Sequence, residues 1–109
     1  MRLTRTQAML RALAEPRRVA ILRVLRSGEL PAGRIARHFH TSRPAISQHL
    51  RVLTRSGLLH ERRSGARRLY RIRFEGFEHL ADFLGSFWDT RLARLKLAVE
   101  AEETRPHGR

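Results

Sequence analysis

The residues best suited to chemistry lie in residues 41–51, TSRPAISQHLR, which combine hydroxyls, arginines and one amide at helical spacing. The amide of Gln48 can bond both the donor and the acceptor on the major-groove edge of adenine, and the guanidinium of Arg43 or Arg51 can bond guanine. Hydroxyls at the start of a helix suit a phosphate. The pattern favours a helix that reads DNA bases, although an ordinary solvated helix face would carry similar residues. The predicted contact residues here are Thr41, Ser42, Arg43, Ser47, Gln48 and Arg51.

A second group of basic residues surrounds the Ser64-Gly65 turn between two strand-like runs, LLHERR and RRLYRIRF. The pattern predicts a β-hairpin whose tip lies along the DNA backbone or enters a narrow minor groove. A charged edge that prevents strand pairing between molecules is the alternative. The predicted contact residues of this hairpin are Arg62, Arg63, Arg67 and Arg68.

No group of residues suits catalysis. The chain has no cysteine, which excludes disulfides, thiol catalysis and cysteine-based zinc sites. No nucleophile–base pair is present. His79 and Asp82 lie one helical turn apart, but a metal site would need a third ligand from elsewhere or from a second subunit. We therefore expect a protein that is not an enzyme and has no cofactor, and whose DNA binding is insensitive to zinc, arsenite and thiol oxidants.

Charge points to the same kind of partner. Residues 1–74 hold 18 arginines and three glutamates, whereas residues 75–109 hold five basic and seven acidic residues within an overall charge of +13. A strongly basic region implies a polyanionic partner, most often nucleic acid. The longest apolar runs are far too short to span a membrane. We expect a cytoplasmic protein that binds double-stranded DNA and has no membrane partner.

The elements that position these residues follow from apolar spacing and helix-capping signals. Helices are predicted over residues 5–13, from Pro16 to Ser27-Gly28, over residues 31–39, from the Ser42 cap to Ser56-Gly57, and over residues 77–99. Gly33 inside the third helix lowers the stability of that helix by about 1 kcal/mol relative to alanine. Its presence indicates that close helix packing requires a residue without a side chain there. The order predicts a mainly α protein with a small β-hairpin, a winged helix-turn-helix of five helices and a two-stranded wing. One domain is expected over residues 1–103, with a flexible tail over 104–109.

The last predicted helix is too apolar to be an ordinary surface helix of so small a domain. We expect it to pack partly on its own domain and partly on a second copy of the chain, with a purely intramolecular core as the alternative. A two-fold dimer would match a palindromic operator. The predicted dimer-interface residues are Met9, Leu13, Leu84, Phe87, Trp88, Leu92 and Leu95.

Residues 12–72 resemble the arsenic-repressor (ArsR/SmtB-like) family of small dimeric transcriptional repressors. The most specific parts are ALAEPRRVAIL, SRPAISQHLRVLTRSGLL and RRSGARRLYRI. The resemblance implies a winged helix-turn-helix that dimerises through its first and last helices. It also implies operator binding near the protein's own promoter, relieved in many members by an inducer. By the same resemblance His49 joins Ser42, Arg43, Ser47 and Gln48 on the DNA-reading helix, and residues 63–68 form the wing.

The chain departs from the metal-sensing members of that family. Those members carry a cysteine pair in the helix that here reads LPAGRIARHF, or an Asp/His set along the last helix. Neither set is present, so the resemblance is to the branch without metal sensing, and the inducer is unknown. Two other functions remain open from the sequence: a protein-interaction module that docks through the Trp88 helix, and a nonspecific nucleic-acid binder.

Overall fold

The computed structural model describes residues 3–87 and 90–104. Within these residues the fold is mainly helical with a small antiparallel sheet, a winged helix-turn-helix as predicted. No helix in these two ranges is long and apolar enough to cross a membrane. The elements are α1 (Arg5–Leu13), α2 (Pro16–Val24), a 3-10 helix (Leu25–Ser27), β1 (Leu30–Pro31), α3 (Ala32–Ala36), α4 (Arg43–Arg55), β2 (Leu59–Ser64), β3 (Arg67–Ile72), α5 (Phe74–Gly85) and α6 (Thr90–Thr104).

The helix starts follow from local side-chain bonds. Thr4 and Gln7 form a capping box at the start of α1, in which each side chain accepts a hydrogen bond from the other residue's backbone N–H, at 3.1 and 3.0 Å. Ser42 caps α4 by accepting a bond of 3.2 Å from the N–H of Ala45, and Pro44 occupies the first turn. The predicted start of α4, the helix expected to read DNA, at the Ser42 cap is therefore confirmed.

A single core holds these helices together. On α4, Ile46, Leu50 and Leu53 are buried, as their spacing predicts. The core also receives apolar residues from both strands of the hairpin and from the other helices up to α5. Its buried members are Met9, Ala12, Ile21, Leu22, Leu25, Ile35, Ile46, Leu50, Leu53, Leu58, Leu59, Tyr70 and Leu80.

The sheet has one strand more than predicted. Strands β2 and β3 pair as an antiparallel hairpin around Gly65 and Ala66, and Gly65 takes the positive φ of 64° that the turn needs. Leu30 pairs with Tyr70 and thereby adds β1 to the other edge of β3. The prediction that Pro31 begins a helix reaching residue 39 is wrong in its bounds, because Pro31 is extended, at ψ 155°, and caps a shorter α3.

The single helix predicted over residues 77–99 is also wrong. Helix α5 begins earlier, at Phe74, and ends at Gly85, and α6 is a separate helix, so the described residues contain six α-helices. Two local features explain why α5 ends there. Gly85 is a poor helix former. The hydroxyl of Ser86 also donates a hydrogen bond of 2.6 Å to the carbonyl of Phe83, which closes the last turn.

Helix α5 is fixed by an unusually close backbone contact. A Cβ added to Gly76 would lie 2.1 Å from the carbonyl oxygen of Gly57, which follows the end of α4. Gly57 itself has a φ of 90°, a conformation that favours glycine. Two glycines thus allow α5 to lie directly against the chain that leaves the reading helix.

Candidate nucleic-acid interface

Helix α4 is the second helix of a helix-turn-helix, with α3 packed against it. Because Ile46, Leu50 and Leu53 point into the core, the opposite side of α4 faces outward. Ser47, Gln48 and Arg51 are exposed on that side, and Thr41, Ser42 and Arg43 are exposed at its start. The helix thus presents a polar surface to a partner.

Gln48 and Arg51 are already bonded to each other. Nη1 of Arg51 donates a hydrogen bond of 3.2 Å to Oε1 of Gln48. The bond uses one of the two lone pairs of Oε1, and the amide NH2 keeps its two donors for a partner. Since both side chains are exposed, the bond can be exchanged for one to water or a base at small net cost.

His49 lies on a different side of α4 from Gln48. It is partly buried, and its Nδ1 is 3.3 Å from Nη1 of Arg18 on α2. Arg18 in turn donates from Nε to the carbonyl of Ala12 near the end of α1, at 2.8 Å. This contact holds His49 against α2, and the expectation that it contacts DNA stays a prediction.

The wing arginines divide into two pairs. Arg62 donates two bonds of 2.8 Å to Glu29, in the segment before β1. Arg68 bonds Glu61 at 3.2 Å. Arg63 and Arg67 are exposed near the hairpin tip, and no carboxylate in the described part of the chain lies within ion-pair distance of either. The tip charges are therefore the ones available to an anion.

Hydrogen bonds shift the ionisation of the groups that hold the wing. The bond from Arg62 lowers the pKa of Glu29 below its ordinary value. The bond of 2.7 Å from the Tyr70 hydroxyl, and then that from Arg68, lower the pKa of Glu61. Burial, and then the bond to Glu61, raise the pKa of Tyr70 to about 12. Both carboxylates are charged at neutral pH and hold their arginines in place.

The reading helix and the wing line common clefts. One cleft of about 330 Å³ has Arg43 and Ser47 from α4 opposite Arg67 and Arg68 from the hairpin. A second, of about 450 Å³, has Ser47 and Arg51 opposite Arg68. The two predicted contact groups, distant in sequence, therefore form one basic surface.

The sequence pattern of the bacterial regulatory protein family ArsR matches residues 15–61, from the cap of α2 into β2. The chain is also 38% identical over 91 residues to the HTH-type transcriptional regulator Rv2034 of Mycobacterium tuberculosis, a match that covers 84% of this chain and 85% of that protein. The chain belongs to the ArsR family. It is a transcriptional regulator with the winged helix-turn-helix fold of DNA-binding proteins, and its relatives are not enzymes.

Two shorter matches to this ArsR-family chain have names with opposite regulatory effects. The transcriptional repressor SdpR of Bacillus subtilis is 40% identical over 55 residues, which cover 50% of this chain and 61% of SdpR. The transcriptional activator HlyU of Vibrio cholerae is also 40% identical over 55 residues, covering 50% of this chain and 51% of HlyU.

A solved structure similar to this ArsR-family protein is the homodimeric winged helix-turn-helix DNA-binding domain Mb0332 of Mycobacterium bovis. It has a TM-score of 0.60 and 29% identity, and the match covers 96% of this chain and 85% of that one. In the present chain, Leu84, Phe87 and Leu95 are 48, 69 and 60% exposed, which leaves apolar surface for a partner. Leu13 is partly buried against the core. Trp88 and the side chain of Leu92 lie outside the described residues.

The structure corrects one of the predicted interface residues of this ArsR-family chain. Met9 is fully buried in the protomer's own core, and its methyl group lies 3.2 Å from the position that a Cβ on Gly57 would take. It has no surface to offer a second subunit. The helical spacing of α1 marked Met9 as apolar but could not show which apolar surface covers it.

The described residues contain no cluster of three or more histidines and carboxylates that could hold a metal ion. Nε2 of His79 is instead 2.6 Å from the hydroxyl of Thr6, a bond that joins α5 to α1. Sequence reasoning missed this bond and also missed Glu29 and Glu61 as partners of the wing. The only signal was their rarity, since residues 1–74 hold just three acidic residues.

Proposed function

We propose that the chain acts as a homodimer that represses transcription by binding a palindromic operator, with α4 in the major groove and the wing on the backbone or in the minor groove. Such binding takes place in the cytoplasm, where bacterial DNA lies. The observation that carries the proposal is the shared basic surface, in which Ser47 and Arg51 of α4 lie across a cleft from the wing. A helix and a hairpin on one surface can contact a groove and its flanking phosphates together.

The dimer is supported by the exposed apolar side chains of the last two helices and by the homodimeric Mycobacterium bovis domain. In a two-fold dimer each subunit presents one reading helix, and the two half-sites lie about one helical turn apart. The operator is then expected to be an inverted repeat.

Repression is favoured over activation by the names of several relatives, including SdpR and the repressor SmtB of Mycobacterium tuberculosis. SmtB is 36% identical over 72 residues, which cover 66% of this chain and 53% of SmtB. Activation is the second candidate, because HlyU has the same identity to this chain as SdpR, 40% over 55 residues. A nonspecific nucleic-acid binder would show no sequence preference, since phosphate contacts alone carry none.

The experiment begins with selection of bound duplexes from a random pool, using the purified protein. An inverted repeat bound more tightly than its scrambled version supports the operator assignment, and equal binding of both overturns it. A reporter placed behind the selected site then distinguishes the two regulatory effects. Lower expression with the protein present supports repression, and higher expression supports activation.

A further inference from the structure

A cleft of about 630 Å³ lies beside the reading helix, between α3, the turn before α4, and the wing. Its charged lining residues are arginines from three separate elements: Arg34 and Arg37 from the α3 region, Arg43 from α4 and Arg67 from β3. Thr41 adds a hydroxyl, and none of the described acidic residues lines the cleft. Convergence of arginines without a carboxylate produces a strong local positive potential.

These four arginines are not neutralised by the chain itself. All four are exposed, and none has a carboxylate within ion-pair distance in residues 3–87 or 90–104. Arg62 and Arg68 on the same wing, by contrast, each have a glutamate partner. Glu29 and Glu61 are thus paired with other arginines of the wing, and the cleft keeps its charge.

Gly33 explains why the guanidinium of Arg43 lies in this cleft. Three atoms of that guanidinium lie 3.7 to 4.0 Å from the position that a Cβ on Gly33 would take. Arg43 therefore lies across the backbone of α3 at a residue without a side chain. A methyl group would make ordinary van der Waals contact there, whereas a longer side chain would occupy the space of the guanidinium.

We propose that this cleft is a phosphate-binding site in which Arg43, held over Gly33, acts with Arg34 and Arg37. The guanidinium fork matches phosphate oxygens in geometry and charge. The inference rests on the proposed function, because the phosphate is supplied by the DNA backbone beside the groove that α4 reads. It reassigns Arg43 from guanine recognition to backbone binding and adds Arg34 and Arg37, which the sequence did not single out, to the interface.

The test measures the affinity of the full chain for a selected duplex and for a scrambled duplex over a range of salt concentrations. Three variants are expected to lower the affinity for both duplexes by the same factor: Arg43→Ala, Gly33→Leu and the double variant Arg34→Ala/Arg37→Ala. Each is expected to reduce the slope of log affinity against log salt, by about one for each phosphate that the variant no longer binds. Gly33→Ala is the matched control, because its methyl group fits and Arg43 stays in place. Arg23→Ala, an exposed arginine on α2, controls for loss of charge alone.

Two results overturn the site in a chain that binds DNA. One is a loss of affinity confined to the selected duplex in Arg43→Ala, which would make Arg43 a base reader. The other is unchanged binding of both duplexes by Gly33→Leu.

If the wild-type chain binds neither duplex, the proposed function fails, and calorimetric titration with pyrophosphate tests the cleft separately. Binding that the double variant Arg34→Ala/Arg37→Ala abolishes supports a phosphate site for a free ligand. Absence of binding by the wild-type chain overturns it.

Discussion

Arg62 on β2 and Glu29 before β1 are joined by two parallel hydrogen bonds, Nε to Oε2 and Nη2 to Oε1, each 2.8 Å long. The two residues are 33 positions apart, so the pair ties the hairpin to the body of the domain. Exposed ion pairs add little to stability, because water and salt screen them. The bidentate geometry instead sets the orientation of the wing.

The first prediction compares Arg62 with Arg67. Because Glu29 already neutralises Arg62, Arg62→Ala should leave the salt dependence of DNA binding almost unchanged. Arg67→Ala should reduce the log–log salt slope by about one, since an unpaired arginine at the hairpin tip releases a counterion when it meets a phosphate. Salt titrations with a selected and a scrambled duplex measure both. Equal slopes for the two variants would contradict the division of the wing into held and available arginines.

The second prediction concerns base reading by Gln48. Gln48→Ala should weaken binding to the selected operator by about 1–3 kcal/mol and relax discrimination at one base position. Binding to a scrambled duplex should change little, because the substitution leaves the bonds to phosphates in place. The measurement is competition between duplexes that differ at single positions. An equal drop in affinity for both duplexes would show that Gln48 does not read a base.

The third prediction is a pH dependence of the contact between Glu61 and Tyr70. The pKa of Glu61 is lowered in the folded chain from an ordinary value of 4.5, so its contribution to stability is present above about pH 4.5 and is lost as pH falls through the lower folded value. Glu61→Gln should therefore lower the midpoint of thermal unfolding at pH 7, and the difference from wild type should shrink in acid. Thermal unfolding followed by circular dichroism from about pH 7 to about pH 3 provides the test. A difference that grows as pH falls would have the wrong sign.

The fourth prediction concerns the contact between Gly76 and Gly57. Gly76→Ala should lower the free energy of unfolding by about 1–3 kcal/mol, because its Cβ would clash with a backbone carbonyl that cannot rotate away. The gain in helix propensity, about 1 kcal/mol, does not offset a clash of this kind. Gly33→Ala is the matched control, a glycine in a helix whose Cβ meets only ordinary contacts. Urea unfolding measures both, and similar stabilities for the two variants would contradict the close approach.

The fifth prediction tests the surface assigned to the second subunit. Phe87→Glu should convert the dimer into a monomer, because a charge placed in an apolar interface loses its hydration without a partner. Phe74→Glu is a control of equal exposure, 69%, at the other end of α5. Sedimentation of both variants and of wild type at micromolar concentration separates 12.7 kDa monomers from dimers. A wild type that sediments as a monomer would overturn the dimer itself.

The parts of this fold that the sequence predicted are those governed by local chemistry. Ser42, Pro44 and the spacing of Ile46 and Leu50 define α4 within a few residues, and turn chemistry defines the hairpin. The parts that it missed depend on distant partners. Strand β1 exists because Leu30 pairs with Tyr70, far along the chain, and no local pattern encodes that pairing. The sequence missed three further features for the same reason: the acidic partners of the wing, the burial of Met9 and the contact of His49 with Arg18.

Arg18 has a consequence for the spacing of the DNA that the protein accepts. Its guanidinium bonds the carbonyl of Ala12 at the end of α1 and contacts His49 on α4, so one side chain connects the first helix to the reading helix. In the proposed dimer, the distance between the two reading helices is set by rigid connections of this kind. An operator with one base pair inserted between its half-sites rotates one half-site by about a tenth of a turn. In the proposed dimer, the link that Arg18 makes between α1 and α4 is therefore expected to weaken binding to an operator lengthened by one base pair.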